Sequence, residues 1–275
     1  MADEADIKIA VIVVVFNTSC KDSITCRRLV QYNDIKLHIV IFDNSTRDFG
    51  NQAYCESCGW TFLGGKGNVG LSKAYNQGIK YLQQAGMDDI VCLFDDDTDI
   101  SANYFKALKS AAVKTKANKV FVPVIYAENR ILSPCILTNT QTVRLFADEQ
   151  GIFNYKGSNL SAINTGMAIR LELFEGYYYD EKIFLDGIDH KFVRDIRQKG
   201  YSLTVMDSRL EQRFSGDEKP SLPSALARFK IFLKDNRYIF RNNKWVSWKL
   251  IGKRALRLTL QYKTTAFICT LLKSE

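Results

Sequence analysis

Histidine is almost missing from this chain: His38 and His190 are the only two in 275 residues. That excludes a site built on several imidazoles. Also missing is an apolar run that could cross a bilayer: residues 9–16 are unbroken and apolar, but about 20 residues are needed. The run follows Asp3, Glu4 and Asp6, where an export signal would carry positive charge, so it reads as a buried strand and the chain as cytoplasmic. The seven cysteines are odd in number and irregularly spaced, which excludes a regular disulfide framework. Cys55 and Cys58 form the one CxxC pair, with no second pair and no nearby histidine, and they read as free thiols in a reducing cytosol. There is no internal repeat and no low-complexity tract.

The chain does have an ordinary globular composition, 46% hydrophobic and 25% charged, and enough length to bury a core without staples. Its net charge of +8 is unevenly placed. Residues 222–275 hold twelve of the 38 Lys/Arg but only Asp235 and Glu275 of the 30 acids, so the rest is close to neutral. A basic tail on a neutral body points to an anionic surface as partner.

Strand and helix patterns alternate. Residues 8–15, 37–42, 60–63, 89–94 and 119–125 read as buried strands. Residues 71–84 read as a helix with Leu71, Ala74, Tyr75, Ile79 and Leu82 on one face and Gly86 as its stop. Ser101 is placed to cap a helix to about residue 114, with Tyr104, Phe105, Leu108 and Ala112 inward. This alternation predicts an α/β fold with an open, mostly parallel sheet flanked by helices. The second half is less regular. Residues 141–159 alternate like a hairpin, 189–199 read as a helix with Phe192, Val193 and Ile196 inward, and 201–206 read as a strand. Residues 217–223 mark a boundary, beyond which 226–240 and 245–260 read as basic, aromatic helices.

Ligands of open sheets bind beyond the carboxyl ends of the strands, so those ends carry the candidates. Asp95-Asp96-Asp97 follows the fourth strand directly. Like charges there are costly unless neutralised, and Mg²⁺ or Mn²⁺ suits a few carboxylates completed by phosphate and water. Side-chain alternation in extended chain would aim Asp95 and Asp97 one way and Asp96 another. A solvated acidic turn is the competing reading. Asn17 follows the first strand, and Asp43-Asn44-Ser45 the second. Gly64-Gly65-Lys66-Gly67-Asn68-Val69-Gly70 follows the third and precedes a helix, where phosphate is favoured, yet it matches neither the Walker nor the dinucleotide pattern.

Four stretches in order carry a family resemblance: Ile12-Val13-Val14-Val15-Phe16-Asn17; Ile41-Phe42-Asp43-Asn44-Ser45; Gly67-Asn68-Val69-Gly70 with Ala74 and Asn76-Gln77-Gly78-Ile79; and Leu93-Phe94-Asp95-Asp96-Asp97. Over roughly residues 7–245 the sequence resembles the glycosyltransferase family 2 enzymes of the GT-A fold, especially the bacterial rhamnosyl- and galactofuranosyltransferase-like branch.

The resemblance implies that Asp43 contacts the nucleotide base with backbone near Val15 and with Asn17, that Asn68 belongs to the donor pocket, and that Asp95 and Asp97 form the metal motif with Asp96 near the ribose or sugar. A fifth stretch, Phe184-Leu185-Asp186-Gly187-Ile188-Asp189-His190, is similar to the segment carrying the catalytic base. Spacing back from Gly200-Tyr201 selects Asp189, with Asp186 on acceptor or sugar. Asn164-Thr165-Gly166-Met167 resembles the acceptor-side turn, making Gly166 an acceptor residue. The family often completes its metal site with a histidine. The matching place reads Leu210-Glu211-Gln212-Arg213, leaving Glu211, Gln212 or carboxylate, diphosphate and water alone. His38 reads as structural and His190 as a helix-surface residue.

What is implied is an inverting, Mn²⁺- or Mg²⁺-dependent transfer from a nucleotide-diphosphate sugar (dTDP-rhamnose or a UDP-sugar) to a hydroxyl of a glycan or lipid-linked glycan, in cell-surface polysaccharide synthesis. The expected domains are a GT-A catalytic unit over 1–221, with a nucleotide-sugar half at 1–125 and an acceptor half at 126–221, and an amphipathic helical extension over 222–275. Trp245, Trp248, Phe229 and Phe232 among Lys/Arg suit a helix on anionic lipid at the inner face of the membrane. Packing on the catalytic unit, or a homodimer contact, explains them equally. The rival readings are a sugar-nucleotide nucleotidyltransferase and a non-enzymatic protein that binds anionic surfaces through the tail. No nucleic-acid motif is present, so nucleic acid is not an expected partner.

Asp189→Asn is predicted to lower turnover roughly 10²–10⁴-fold, the range for loss of a general base, with donor binding intact. Normal turnover by this variant, in a transfer assay, refutes the assignment.

Overall fold

The computed structural model describes residues 7–32, 35–86, 88–212 and 220–273. Asp3, Glu4, Asp6, Arg213 and the start of the 217–223 boundary lie outside them. The first half comprises β1 (Ile9–Val15), α1 (Ile24–Leu29), β2 (Leu37–Asp43), α2 (Asn51–Cys58), β3 (Thr61–Gly64), α3 (Leu71–Ala85), β4 (Ile90–Asp95), β5 (Thr98–Asp99), α4 (Tyr104–Lys114) and β6 (Val120–Ala127). After it come β7 (Arg130–Ser133), β8 (Cys135–Leu137), β9 (Val143–Leu145), α5 (Glu149–Phe153), β10 (Leu160–Ser161), β11 (Met167–Arg170), α6 (Ile188–Gln198), β12 (Leu203–Gln212), α7 (Leu222–Ile239), α8 (Lys244–Tyr262) and α9 (Ala266–Lys273).

The described residues form a nine-stranded sheet in the order β3-β2-β1-β4-β11-β6-β12-β5, with β7 on β6. β1 pairs in parallel with β2 and β4, β2 with β3, and β6 with β12. β11 runs antiparallel between β4 and β6. The mostly parallel sheet expected from the alternation is therefore present. Every residue of β1 is buried, and its side chains divide by parity. Ala10, Ile12 and Val14 join one core with α3 and α6, while Ile9, Val11, Val13 and Val15 join the other with α1 and α4. An unbroken β-branched run is what burial on both faces requires.

Three local expectations are corrected. Ser101 does not cap α4: Asn103 occupies the cap, without a side-chain bond, and the buried Ser101 hydroxyl has no partner among the described residues. Residues 141–159 are only partly hairpin. β9 pairs antiparallel with β8, but α5 follows, capped by Asp148 through the Gly151 N–H. β12 extends to Gln212, past the expected end at residue 206, because it pairs with both β6 and β5. All seven cysteines are free, with Cys55 and Cys58 in α2.

The tail does more than extend the body. Its helices share a small core of Phe229, Leu233, Ile251, Ala255 and Phe267. From α7, the fully buried Asp235 accepts from three consecutive backbone N–H groups: Phe184 at 2.9 Å, Leu185 at 2.8 Å and Asp186 at 2.9 Å. The other side of this loop is held by α3. Leu71 N donates to the Phe184 carbonyl at 2.7 Å, and the Ser72 hydroxyl to Ile183 O at 2.6 Å. Gly70 (φ +87°) allows that approach, since a Cβ there would lie 2.7 Å from the Phe184 ring. The loop before α6 is thus clamped between the glycine-rich segment and the tail.

Asp235→Ala would leave three buried amides without an acceptor, so it is predicted to lower stability by on the order of 3 kcal/mol. Urea unfolding checks this, and a loss under about 1 kcal/mol would show that the clamp is not required.

Candidate active site

Strand register assembles the site. Val15 pairs with Asp43, Asp43 with Gly64, and Val14 with Asp95, so four parallel strands end side by side. Asn44 N donates to the Val15 carbonyl at 2.9 Å, tying the first two strand ends together. Asp43 is buried; its Oδ1 accepts from Ser45 N and its Oδ2 from the Asn51 amide, both at 2.9 Å. Each oxygen keeps a lone pair for a ligand. Asn17 has φ 53°, a conformation that asparagine tolerates, and its Oδ1 holds Thr46 through N and hydroxyl, both at 3.0 Å. Asn44 carries the link onward: its Oδ1 accepts from Val69 N at 2.8 Å, and its amide donates to Asn68 Oδ1 at 3.0 Å. Val15, Asn17, Asp43 and Asn68 are therefore joined through one network. Asp43 lines a cleft of about 850 Å³ with Arg47, Phe62, Gly64 and Lys66.

The carboxylate triplet departs from simple alternation. β4 ends at Asp95, and the chain turns at Asp96 and Asp97, so each acid takes a different partner. Asp95 accepts from the Thr165 hydroxyl at 2.6 Å, Asp96 from Phe16 N at 3.2 Å, and Asp97 from the Gln212 amide at 3.3 Å. Burial raises Asp95 above the usual carboxylate range; the Thr165 bond opposes this, and the nearby charge of Asp189 adds to it. Burial likewise pushes Asp96 up to about 6. Asp97 is pushed up to about 7, first by burial and then by Asp95 and Asp96. Among the described residues none of the three is paired with Lys, Arg or His. Nor, among them, do three His, Cys, Asp or Glu side chains converge as a preformed metal cage.

Asp189 occupies the first turn of α6 and accepts from His190 N at 2.7 Å. Its charge reaches both Asp95 and Tyr75, whose buried hydroxyl has no partner among the described residues and is held well above its ordinary value, chiefly by burial. The structure thus places Asp189 within electrostatic reach of Asp95, with Asp97 two residues further along the same turn. Asp186 is tied to the tail instead, by Arg228 and by Arg254 at 3.0 Å. Gly166 is buried in the turn that presents Thr165; with φ +70° it packs so closely that a Cβ would lie 2.5 Å from Leu210 and 2.8 Å from Pro123. His190 is half-buried rather than on an open helix surface, bonded to Ser161 at 2.8 Å. His38 pairs with Asp88 at 2.9 Å, away from the strand ends. Of the two replacements for the family histidine, Gln212 faces Asp97, whereas Glu211 pairs in register with Asp99.

Sequence reading passed over Thr165, Asn51 and Asp235 as site residues. Thr165 and Asn51 belong to short polar stretches with many other uses. Asp235 had one signal, as the lone acid within a basic helix.

No protein-family model matches the chain, and no curated protein matches it by sequence. Solved structures do match. Staphylococcus aureus TarS, residues 1–349 with UDP, aligns at TM-score 0.53 and 16% identity over 85% of this chain and 66% of that one. A mannosyltransferase from Pyrobaculum calidifontis, in complex with GDP-Man and Mn²⁺, aligns at 0.57 and 14% over 85% and 64%. Glucosyl-3-phosphoglycerate synthase from Mycobacterium tuberculosis, with Mn²⁺, UDP and phosphoglyceric acid, aligns at 0.54 and 12% over 84% and 78%. The chain spans just under two thirds of the TarS fragment, and nothing in these likenesses singles out a rhamnosyl branch. Identities this low establish the fold, and that fold is the one these nucleotide-sugar glycosyltransferases share, GT-A.

Proposed function

We propose that the chain is an inverting glycosyltransferase that uses a nucleotide-diphosphate sugar and a divalent cation. The observation that carries this reading is the group of half-buried carboxylates Asp95, Asp96 and Asp97, unpaired with a cation among the described residues, near Asp189 at the carboxyl ends of aligned parallel strands. The solved neighbours with nucleotides and Mn²⁺ support it.

In this reading Asp43, Asn17, the Val15 backbone and the Asn68 segment seat the nucleoside, and Asp96 lies toward the ribose or sugar. Asp95 and Asp97, with the Gln212 amide oxygen, would hold Mn²⁺ or Mg²⁺. An all-oxygen donor set suits either ion, and buried acids without a counter-cation fit one. When bound, the cation supplies Lewis-acid compensation for charge gathering on the departing diphosphate. Asp189 takes the proton of the acceptor hydroxyl, while Thr165 keeps Asp95 in place. The other carboxylate of this region, Asp186, is neutralised by two guanidinium groups, so a single base remains. One base without a carboxylate nucleophile corresponds to single displacement and inversion. Residues 1–221 form the catalytic unit, and 222–275 an extension that braces its acceptor side through the 184–186 loop.

The acceptor is a glycan or lipid-linked glycan reached at the cytoplasmic face of a membrane. No helix among the described residues is long and apolar enough to cross one. The outer face of α8 and α9 instead exposes Trp245, Trp248, Leu256, Leu260 and Leu272, next to Lys244, Lys249, Lys253 and Arg257. An apolar stripe bordered by cations suits the interface of an anionic bilayer.

Two tests follow. Incubation with UDP-, dTDP- and GDP-sugars and Mn²⁺ or Mg²⁺ is expected to release nucleoside diphosphate, with chelation and Asp97→Ala each abolishing release. Mn²⁺ alone should raise the melting temperature of the parent but not of Asp97→Ala. Metal-independent release, or no response to any nucleotide, overturns the reading. Separately, a Trp245→Gln/Trp248→Gln variant is expected to sediment with phosphatidylserine-containing vesicles at least tenfold less than the parent; equal sedimentation removes the membrane contact.

A further inference from the structure

Asp189 lines a second cleft, of about 380 Å³, which the donor-side network does not reach. One wall is α6, another is the tail, and the third is the β8–β9 hairpin, whose Thr140 accepts from Lys249 of α8 at 3.2 Å. Two of its cations are already engaged: Lys191 with Asp195 at 2.5 Å, and Arg254 with Asp186 at 3.0 Å. Arg194 is not. It is half-buried, it lines both this cleft and an adjoining one of about 400 Å³, and it has no ion-pair or hydrogen-bond partner among the described residues. Asn236, 4% exposed, also lines the cleft; its Oδ1 accepts from Ser247 at 2.7 Å, while its Nδ2 has no partner among the described residues. Most of the remaining lining is apolar, from Phe232, Phe240, Leu250 and Val143 among others, with Gln141 and His190 as its other polar members.

A partly desolvated guanidinium without an anion, beside a free amide donor, is a place for a phosphate or similar group, which arginine binds through paired N–H donors. The apolar walls add a second requirement, because a soluble sugar phosphate has nothing to bury there. Arg194 lies five residues beyond Asp189 on the same helix, about 7.5 Å along its axis. One ligand could therefore touch both.

We propose that this cleft is an acceptor subsite for an amphiphilic phosphate ester, its phosphate on Arg194 and Asn236, its apolar part against Phe232, Phe240 and Leu250, and its hydroxyl-bearing end toward Asp189. This rests on the function proposed above and narrows its acceptor to a chemical class. It requires no covalent step beyond that transfer.

Calorimetric titration with farnesyl phosphate, farnesol and glucose 1-phosphate tests it on the full chain. Farnesyl phosphate is expected to bind at least tenfold more tightly than either of the others. Arg194→Gln should weaken it roughly ten- to hundredfold, the range for a charge-assisted bond, with farnesol unaffected and Arg194→Lys intermediate. Farnesol binding as tightly as its phosphate, or Arg194→Gln without effect at an unchanged melting temperature, overturns the subsite. Glucose 1-phosphate binding as tightly as farnesyl phosphate overturns its amphiphilic part. UDP with Mn²⁺ is titrated on the same sample. Nucleotide binding without farnesyl phosphate binding defeats this inference alone, whereas loss of nucleotide binding defeats the function on which it rests.

Discussion

Negative charge is concentrated at the carboxyl edge of the sheet with no cationic side chain paired to it among the described residues, and much else in the structure is arranged around that fact. Asp95, Asp96 and Asp97 are each held by a neutral donor, from Thr165, the Phe16 backbone and Gln212 respectively. Neutral donors orient a carboxylate without discharging it. An acid from a separate element, Asp189, raises the cost of ionising Asp95. A fold that keeps such a set together is arranged for a positive or charge-accepting ligand, because low polarity magnifies the cost of leaving it uncompensated.

Two other acids show the contrast. Asp186 is matched with Arg228 and Arg254, and Asp235 with three amides. These satisfied groups hold the loop that delivers α6, and with it Asp189, to the sheet edge. The same loop is pinned on its far side by Leu71 and Ser72 at the start of α3. The glycine-rich segment before α3, the start of α6 and the basic tail thereby meet in one stretch of backbone. A tail that reads as an appendage is part of the wall of the cleft beside Asp189, and it leaves Trp245, Trp248, Leu256 and Leu260 exposed.

Much of this was legible beforehand where a local rule applies. The buried strands, the amphipathic faces of α3 and α6 and the positions of Asp43 and Asp95 at strand ends follow from periodicity, since each depends on neighbours a few residues away. The short helices α1 and α2 went unread, being too brief to show a period, and α5 fell within a polar stretch that looked like hairpin. Gln212 was one of two candidates until strand pairing placed it at Asp97 and Glu211 at Asp99.

By itself the sequence determined the α/β class, the six strands β1, β2, β3, β4, β6 and β12 that make the parallel pairs, and which acids stand where parallel strands end, because patterning and turn chemistry are local. Only the tertiary structure decided that Thr165 would meet Asp95 across 70 residues, that Asp235 would hold the loop before Asp189, and that Arg194 would line the cleft beside Asp189 with no ion-pair partner among the described residues. Those contacts join residues from separate elements. Their existence depends on how helices and sheet pack, which no spacing along the chain encodes.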